Sequence, residues 1–232
     1  MQNEYQKGKL LLVDKPLNWT SFDLVNYVRL ELKRKAGIKE IKVGHAGTLD
    51  PLASGLVMIC TGTWTKKINE FQSMEKEYVG QITLGATTPS YDLETEIDET
   101  FPTEHITQEM MYEAAKSFEG IIEQLPPVYS AIKIKGKRAY DYARQGLDVK
   151  INAKTVQIHS FNINLIDDNV ITFRIRCSKG TYIRSIAHDF GKKLNSGAHL
   201  SQLRRTAIGE YLVVNAITPQ QFTDELLSNL EI

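Results

Sequence analysis

The sequence lacks the features that define membrane, secreted and nucleotide-driven proteins. No run approaches the roughly 20 consecutive apolar residues that a membrane-spanning helix requires. The N-terminal segment MQNEYQKGKLLLVDKP has neither the basic start nor the long apolar core of a signal peptide. The sequence as a whole contains no P-loop, no dinucleotide-binding fingerprint and no cluster of histidine and aspartate with metal-ligand spacing. We therefore expect a cytoplasmic protein that needs no cofactor and no metal.

Cysteine is also scarce. Cys60 and Cys177 both lie in apolar, strand-like runs, which favours buried, reduced thiols, with a single disulfide as the alternative. The other totals are ordinary for a soluble globular protein, with 42% hydrophobic and 24% charged residues. A length of 232 residues suits one large domain or two small ones with a well-buried core.

The net charge is zero, but the charges are distributed unevenly along the chain. Residues 81–125 contain ten acids and one base, so the rest of the chain has a surplus of nine positive charges. Basic surface that is separated from an acidic segment is what binding to a phosphate backbone requires. Such separation also occurs in proteins that bind no nucleic acid, and this feature alone does not decide between the two.

The most informative stretch is IKVGHAGTLDPLASGLVMICTG, from Ile41 to Gly62. Its pattern predicts a strand, a compact glycine-rich loop and a second strand. Pro51 favours an extended conformation at Asp50, so the backbone that carries this carboxylate is predicted to be rigid. The alternative is that Asp50 only closes hydrogen bonds within a turn.

The thirteen residues GHAGTLDPLASGL resemble the signature of the TruB family, the bacterial tRNA pseudouridine synthases. The resemblance implies that Asp50 attacks the target nucleotide and that His45 fills the gap left in the RNA by that nucleotide. On its own, His45 would more often be a structural histidine. Segments that match the same family continue through nearly the whole chain.

Near the N-terminus, residues 9–13 form a predicted strand, and KPLNWTSFD resembles a Lys-Pro-x-Gly-x-Thr-Ser motif of the family. Asn18 replaces the glycine of that motif, and we expect it to keep the same turn at positive φ. Thr20 to Asp23 has the form of a capping box. It predicts a helix from Ser21 to about Lys35 that buries Phe22, Val25, Val28 and Leu32.

Residues 63–74 predict a further helix, followed by an alternating strand that contains Tyr78. Tyrosines in strands are mostly packing residues. Glu-Lys-x-Tyr at this distance after the aspartate motif matches the family, which implies that Tyr78 is a catalytic residue that stacks on the target base and takes part in proton transfer.

The segment LGATTPSYDLETE resembles the family pattern Leu-Gly-x-x-Thr-x-Thr-x-Asp-x-x-Gly but departs from it at Pro89, Ser90, Tyr91 and Thr95. These departures leave the shape of the loop open. The acids that follow predict a solvated face rather than a metal site, together with a helix over residues 108–118 that is ended by Gly120.

Residues 126–146, PPVYSAIKIKGKRAYDYARQG, interleave lysine and arginine with tyrosine. Cations that follow phosphates and rings that stack on bases suit RNA, whereas a solvated lysine-rich hairpin is the alternative. The resemblance implies a thumb-like insertion over roughly residues 124–152 that grips RNA. The predicted phosphate contacts are Lys15, Lys133, Lys135, Arg138, Arg204 and Arg205.

Residues 156–165 and 170–177 predict a hairpin, and a helix with a buried stripe of Ile183, Ile186, Ala187, Phe190 and Leu194 follows. If Thr181 caps this helix, Arg184 lies in its first turn, where the helix dipole disfavours a cation. We therefore expect a compensating anion beside Arg184, which is either a side chain or a phosphate. A solvated surface arginine is the alternative.

The segments RCSKGTYIR and LRRTAIG complete the resemblance. By resemblance, Arg184 pairs with Asp50, and Tyr182 and Leu203 line the uracil pocket. A core position is the common alternative for a leucine. The implied fold is α+β, with a mixed and largely antiparallel twisted sheet flanked by helices. We expect residues 1–232 to form one catalytic domain without the PUA domain that many members carry.

The implied reaction converts uridine to pseudouridine at position 55 in the T-loop of tRNA. A guide-RNA-directed enzyme of the dyskerin type and a non-catalytic RNA-binding module are the alternatives. Retention of Asp50, Tyr78 and Arg184 together favours catalysis, and tRNA is the only partner expected for a monomer. Whether Asp50 attacks the ribose, attacks C6 of the base or removes a ribose proton stays open.

Overall fold

The structure is a computed structural model, and it describes residues 4–130, 132–134, 136–147, 149–167 and 169–228. The α-helices are α1 (Glu4–Lys7), α2 (Ser21–Arg34), α3 (Ile68–Ser73), α4 (Gln108–Lys116), α5 (Ala139–Ala143), α6 (Ile183–Lys193) and α7 (Pro219–Ser228). Two 3₁₀ helices lie at Gly62–Lys67 and Val213–Asn215. Within the described ranges, no helix has both the length and the apolar character needed to cross a membrane.

Along the chain, strands and helices do not alternate one by one, and several strands follow each other without a helix between them. The strands are β1 (Leu10–Lys15), β2 (Val43–His45), β3 (Ala53–Thr61), β4 (Lys76–Leu84), β5 (Ala86–Thr87), β6 (Glu99–Thr100), β7 (Gly120–Gln124), β8 (Lys133–Ile134), β9 (Lys137–Arg138), β10 (Lys154–Asp167), β11 (Val170–Cys177), β12 (Ala198–Ile208) and β13 (Tyr211–Leu212). The chain divides into two compact units. The first unit is Met1–Tyr78 with Arg204–Ile232, and the second unit is Val79–Leu203.

In the first unit, β3 is the central strand. It pairs antiparallel with β1, from Leu10 opposite Cys60 to Lys15 opposite Gly55, and also with β2. Nearly every residue of β3 is buried, because apolar side chains cover both faces of the strand. Its side chains form a core cluster with Ala46, Phe71 and Ile208. The predicted arrangement of strand, loop and strand around Asp50 is therefore confirmed.

Helix α2 begins with the predicted capping box. The Thr20 side chain accepts a hydrogen bond from the Asp23 N–H, and the Asp23 carboxylate accepts from the Thr20 N–H at 2.8 Å. The predicted buried face is wrong at one position, because Phe22 is 60% exposed and Leu24 is buried instead. Both lie in the first turn, where the sequence spacing alone fits either side chain.

Two expectations about short segments are also answered. Asn18 has a φ of 66°, so it adopts the left-handed conformation predicted for the residue that replaces glycine. Residues 63–74 do not form one helix, because a 3₁₀ helix occupies Gly62–Lys67 and α-helical structure begins only at Ile68.

In the second unit, β10 pairs antiparallel with both β11 and β7, which confirms the predicted hairpin. Ile171, Phe173, Ile175 and Cys177 are buried on one face of β11, whereas Arg174 and Arg176 are exposed on the other. Phe161 packs against Phe118, Phe173 and Phe190 at ring-centroid distances of 6.0, 6.3 and 5.7 Å. The apolar stripe predicted for α6 is buried throughout.

The strand pairs described above are antiparallel, as predicted, and isolated parallel bridges join Val13 to Ile217 and Asp92 to Leu200. Cys60 and Cys177 are both buried thiols, and burial raises the pKa of Cys60 to about 11. The predicted thumb contains a short hairpin in which Lys133 lies opposite Arg138, followed by α5.

Candidate active site

Asp50 lies in the loop that joins β2 to β3 and is half-buried. Its carbonyl accepts a hydrogen bond from the Ala53 N–H at 3.1 Å, which closes a turn around Pro51. The buried neighbour Leu49 donates its N–H to Ser21 Oγ at 2.8 Å, and Ser21 Oγ donates back to the Leu49 carbonyl at 3.1 Å. Because Ser21 is the first residue of α2, this pair of bonds fixes the loop to the start of that helix.

The turn before α2 contacts the same loop. The Asn18 N–H donates to the Pro51 carbonyl at 2.8 Å. The positive φ of Asn18 is therefore part of the structure that presents Asp50, and not an isolated feature of the KPLNWTSFD segment.

Arg205 holds both ends of the Asp50 loop. Its guanidinium donates to the carbonyls of Leu56 at 2.7 Å, Gly47 at 3.2 Å and Thr48 at 3.4 Å. The side chain is 1% exposed. Arg205 was expected to contact RNA phosphate, but its burial and its three carbonyl partners assign it to supporting this loop instead.

The close approach of β12 to β3 explains one glycine of the motif. Gly55 has a φ of 109°, and a Cβ at this position would lie 2.3 Å from the Arg205 carbonyl oxygen. No larger residue fits without moving a strand. The backbone of Arg205 therefore lies against β3 at Gly55, while its side chain bonds to the loop at Gly47 and Thr48.

Lys15 is fully buried at the end of β1. Its ammonium donates to the carbonyls of Pro16 at 2.9 Å and Trp19 at 2.6 Å. Burial lowers the pKa of Lys15 to about 8, the negative charge of Asp50 opposes this shift, and the positive charge of Arg205 adds to it. Lys15 was also expected to contact phosphate, but its burial makes it an electrostatic neighbour of Asp50 instead.

His45 lies on β2, at the start of the loop, and is half-buried. Burial lowers its pKa, a hydrogen bond to the Gly47 backbone opposes this change, and the charge of Arg205 adds to it. The imidazole is therefore neutral at neutral pH. Tyr78 lies on β4 and is 9% exposed, so most of its ring is covered.

In the second unit, Arg184 lies in the first turn of α6 and is 4% exposed. Its Nε is 3.5 Å from Oδ2 of Asp92, which is also buried, and an Nη donates to the Ser90 carbonyl at 3.2 Å. A side-chain anion beside Arg184 was expected from the helix dipole, and Asp92 is one. Asp92 belongs to the acid-rich residues 81–125, and nothing in the sequence indicated that this acid is buried.

Tyr182, and not Thr181, is the N-cap of α6. Thr181 instead donates its hydroxyl to the Ser178 carbonyl at 3.0 Å. The buried Gln124 fixes Tyr182, because its amide accepts from the Tyr182 N–H at 2.8 Å and donates to the Tyr182 carbonyl at 3.0 Å. The Lys154 ammonium lies 4.1 Å from the centre of the Tyr182 ring.

The loop that carries Asp92 accounts for the departures from the family pattern. Thr95 Oγ1 accepts from the Ser90 N–H at 3.1 Å and lies 2.9 Å from Ser90 Oγ. Thr88 Oγ1 donates to the Asp92 carbonyl at 2.6 Å, and the Glu94 N–H donates to Asp92 Oδ1 at 3.0 Å. Hydroxyl groups thus close a turn for which the family pattern has glycine at one position.

The remaining predicted phosphate contacts are less uniform. Arg138 is exposed on β9, whereas Arg204 forms a two-point ion pair with Asp14, at 2.7 and 3.0 Å. Lys133 belongs to β8, but its side chain is not described, and Lys135 lies outside the described residues. Over the part of the chain that the structure describes, no group of three or more His, Cys, Asp or Glu residues could hold a metal ion.

Two family models match consecutive parts of this chain. Residues 33–183 match the N-terminal domain of the TruB family pseudouridylate synthases, and residues 184–231 match the C-terminal domain of tRNA pseudouridylate synthase B. The chain belongs to the TruB family. The boundary between the two models falls directly before Arg184.

Two relatives within the TruB family match along almost their full length. A protein of Flavobacterium johnsoniae named tRNA pseudouridine synthase B is 56% identical over 224 residues, which cover 96% of this chain and 98% of the relative. A protein of Parabacteroides distasonis with the same name is 52% identical over 227 residues, which cover 98% and 97%.

Two solved structures confirm the predicted α+β fold. A Cbf5–Nop10–Gar1 complex matches with a TM-score of 0.69 at 27% identity, over 95% of this chain and 54% of that chain. An H/ACA ribonucleoprotein bound to substrate RNA containing 2′-deoxyuridine matches with a TM-score of 0.69 at 25% identity, over 98% and 56%. This TruB-family chain thus spans little more than half the length of those structural neighbours.

The residues that the TruB resemblance singles out fall into two groups. Lys15, His45, Asp50, Tyr78, Arg204 and Arg205 belong to the first unit, and Arg138, Tyr182, Arg184 and Leu203 belong to the second. Leu203 is half-buried on β12. Asp92, Ser90, Ser21 and Gln124 were missed as site residues, because each acts on a partner that is distant in sequence.

Proposed function

We propose that this chain isomerises uridine to pseudouridine in tRNA, at position 55 of the T-loop, with Asp50 as the reactive carboxylate and without a cofactor. The observation that carries the proposal is the loop of Asp50. It has the sequence of the TruB signature and is held by Arg205, Ser21 and the Asn18 turn. Relatives that are 50–56% identical are named tRNA pseudouridine synthase B.

The proposed reaction breaks the N-glycosidic bond, turns the uracil and joins C5 to the ribose. Because substrate and product are isomers, no co-reactant is needed. Asp50 attacks the ribose, attacks C6 of the base or removes a ribose proton, and each of these steps requires an ionised carboxylate. The buried cation Lys15 lies close enough for its charge to interact with that of Asp50.

The target nucleotide must leave its stack before its ring atoms can be reached, at a cost of about a few kcal/mol. Contacts of Tyr78, Tyr182 and Leu203 with the flipped-out uracil offset this cost. His45 fills the gap that the nucleotide leaves in the RNA. We also keep the pairing of Arg184 with Asp50, which the family resemblance implies, as part of the proposal. Among the predicted phosphate contacts, the exposed Arg138 suits the role best.

The stand-alone tRNA enzyme is favoured over the guide-RNA-directed alternative. Three relatives named tRNA pseudouridine synthase B are 50–56% identical and match over 94–98% of their own length. The Cbf5 chains are 25–27% identical, and this chain covers little more than half of their length. A non-catalytic module would not need a carboxylate presented on a loop that is fixed at three places.

The test is Asp50→Asn in the purified protein with an unmodified tRNA transcript. The amide cannot act as nucleophile or base, so we expect conversion to fall by at least about 10⁴-fold, whereas tRNA affinity stays within about twofold. Asp224→Asn is the matched control, because Asp224 is exposed on α7 of the same unit. Pseudouridine is measured by chemical mapping along the transcript.

Three outcomes would contradict the proposal. Undiminished conversion by Asp50→Asn would remove the catalytic assignment. A transcript in which cytidine replaces the uridine at position 55 should acquire no pseudouridine, and conversion at another uridine would remove the site specificity. Conversion that requires an added guide RNA would favour the alternative enzyme class.

A further inference from the structure

Two aromatic side chains stack beside the Asp92–Arg184 pair in the second unit. The rings of Tyr91 and His188 have centroids 3.8 Å apart and planes inclined by only 11°. Tyr91 belongs to the loop after β5, and His188 belongs to α6. This is the closest ring pair described for the chain, at a separation below the 4.5–7 Å that is usual for aromatic pairs.

The spacing of these residues relates the stack to the ion pair. His188 follows Arg184 by four residues on α6, so both side chains lie on one face of the helix. Tyr91 directly precedes Asp92. The same loop and the same helix are therefore joined twice, by Asp92 with Arg184 and by Tyr91 with His188.

The backbone of Tyr91 needs an external contact to keep its conformation. Its φ is 65°, in the left-handed region that side chains other than glycine and asparagine disfavour. Such a conformation persists where the surroundings determine it. The Tyr91 N–H donates to the Thr88 carbonyl at 3.0 Å, and the Leu200 N–H donates to the Tyr91 carbonyl at 2.9 Å. The stack on His188 adds the side-chain contact.

His188 stacks as an uncharged ring. Burial lowers its pKa to about 4, the nearby Lys192 lowers it further, and Asp98 opposes the shift. The ring is thus neutral at neutral pH and brings no second cation beside Arg184.

We propose that the Tyr91–His188 stack is a positioning element that holds the Asp92 carboxylate against the Arg184 guanidinium. Neither residue is assigned a contact with the substrate. The proposal rests on the proposed function, in which Arg184 serves the reacting carboxylate. It predicts that loss of the stack slows the chemical step and leaves tRNA binding intact.

The test is a double-mutant cycle with Tyr91→Gly, His188→Ala and the double variant, read as the single-turnover rate of pseudouridine formation. Glycine retains the left-handed backbone without strain, so Tyr91→Gly removes the stack alone. We expect each single variant to be about tenfold slower, which is the size of effect that aromatic pairs support. The double variant should also be about tenfold slower, because the second change removes nothing further.

Conservative variants test the ring itself. Tyr91→Phe and His188→Phe retain an aromatic ring, so we expect each to recover the rate to within about threefold of the unchanged protein. Tyr112→Ala is the control, since Tyr112 is an exposed tyrosine on α4 of the same unit. Thermal unfolding and tRNA affinity are measured for every variant, and affinity should stay within about twofold.

Several results would overturn the proposal. One is a double variant that is about 100-fold slower, because the two losses in rate then multiply. Another is a variant that loses tRNA affinity but not rate. The third is a His188→Ala rate that falls no further than the Tyr112→Ala rate. Failure of the proposed function is recognised separately, because the unchanged protein would then form no pseudouridine. A crystal structure of His188→Ala decides the positioning role in either case. We expect the distance between the Asp92 carboxylate and the Arg184 guanidinium to increase. An unchanged distance would contradict the positioning role.

Discussion

At the scale of single residues, the surroundings of Asp50 are set by two buried cations. Lys15 and Arg205 are 0% and 1% exposed. A buried charge is tolerated only when it is hydrogen-bonded or paired. Both side chains meet this requirement with backbone carbonyls of the Asp50 loop or of the turn before α2. Loop geometry and local charge therefore depend on the same two residues.

Arg205→Met should damage stability and rate together. It leaves the carbonyls of Gly47, Thr48 and Leu56 without their donor, and each lost buried bond costs about 1 kcal/mol. We expect the free energy of unfolding to fall by about 3 kcal/mol and the single-turnover rate to fall at least about tenfold. Arg205→Lys should be intermediate, since one ammonium cannot span three carbonyls.

Urea unfolding and single-turnover kinetics measure these effects. Arg34→Met is the matched control, because Arg34 is exposed at the end of α2 in the same unit. An Arg205→Met variant as stable and as fast as Arg34→Met would show that the three hydrogen bonds do not support the loop.

Lys15 should make stability depend on pH in a particular direction. Its pKa is about 8 in the folded protein, below its ordinary value of 10.5. Between these values the unfolded chain binds more protons than the folded one, so stability from this group rises with pH. We therefore expect the unchanged protein to gain stability relative to Lys15→Met as the pH rises. The difference between their free energies of unfolding should increase by roughly 2 kcal/mol from pH 7 to pH 10.

The measurement is urea unfolding at a series of pH values, with Lys7→Met as the exposed-lysine control. In that control the difference should stay constant with pH. A decrease for Lys15→Met as the pH rises would mean that a partner, and not burial, dominates the environment of Lys15.

Sequence reasoning at this scale succeeded where the signal was local. Asn18 was predicted correctly, because a residue that replaces glycine carries its conformational preference with it. Lys15 and Arg205 were expected at phosphates, whereas the structure buries both against backbone carbonyls. Their carbonyl partners become neighbours only after the strands pair, and a basic side chain in a sequence does not indicate whether it meets phosphate or backbone.

At the scale of helices and strands, the same distinction holds. The capping box of α2 and the β10–β11 hairpin involve residues close in sequence, and both were predicted. The cap of α6 was not. Its N-terminus is fixed by Gln124, which is 58 residues from Tyr182, so the Thr181 hydroxyl is not needed there.

The contact between β3 and β12 gives a prediction for strands. Gly55→Ala should lower the free energy of unfolding by about 3 kcal/mol, because the new Cβ meets the Arg205 backbone and φ is positive. Gly37→Ala should cost only about 1 kcal/mol, since Gly37 has a φ of 67° and no atom within 4 Å of the new Cβ. Thermal or urea unfolding of both variants measures the difference. Equal costs would mean that backbone angle, and not strand contact, explains Gly55.

At the scale of the whole molecule, long-range pairs could not be read from the sequence. Asp92 and Arg184 are separated by more than half of the second unit's chain, and the acids around Asp92 gave no sign that this one is buried. The charge distribution was readable, because it requires only counting. The acid-rich residues 81–125 all belong to the second unit.

This charge distribution predicts how tRNA affinity responds to salt. The logarithm of the affinity should fall linearly with the logarithm of the salt concentration, because each neutralised phosphate releases counterions. Removing one phosphate contact should reduce the slope by about 0.7 to 0.9. Arg138 is exposed, so Arg138→Ala should show this reduction. Lys15 is buried, so Lys15→Met should leave the slope unchanged even if it weakens binding.

The slope separates surface contacts from buried supports where a single affinity cannot. A variant that disturbs the loop of Asp50 weakens binding equally at every salt concentration, whereas loss of a phosphate contact matters most at low salt. Fluorescence titration of tRNA between about 50 and 400 mM KCl gives both quantities. If Lys15→Met lowered the slope as much as Arg138→Ala, Lys15 would reach phosphate in the complex. The burial of Lys15 would then not persist when RNA is bound.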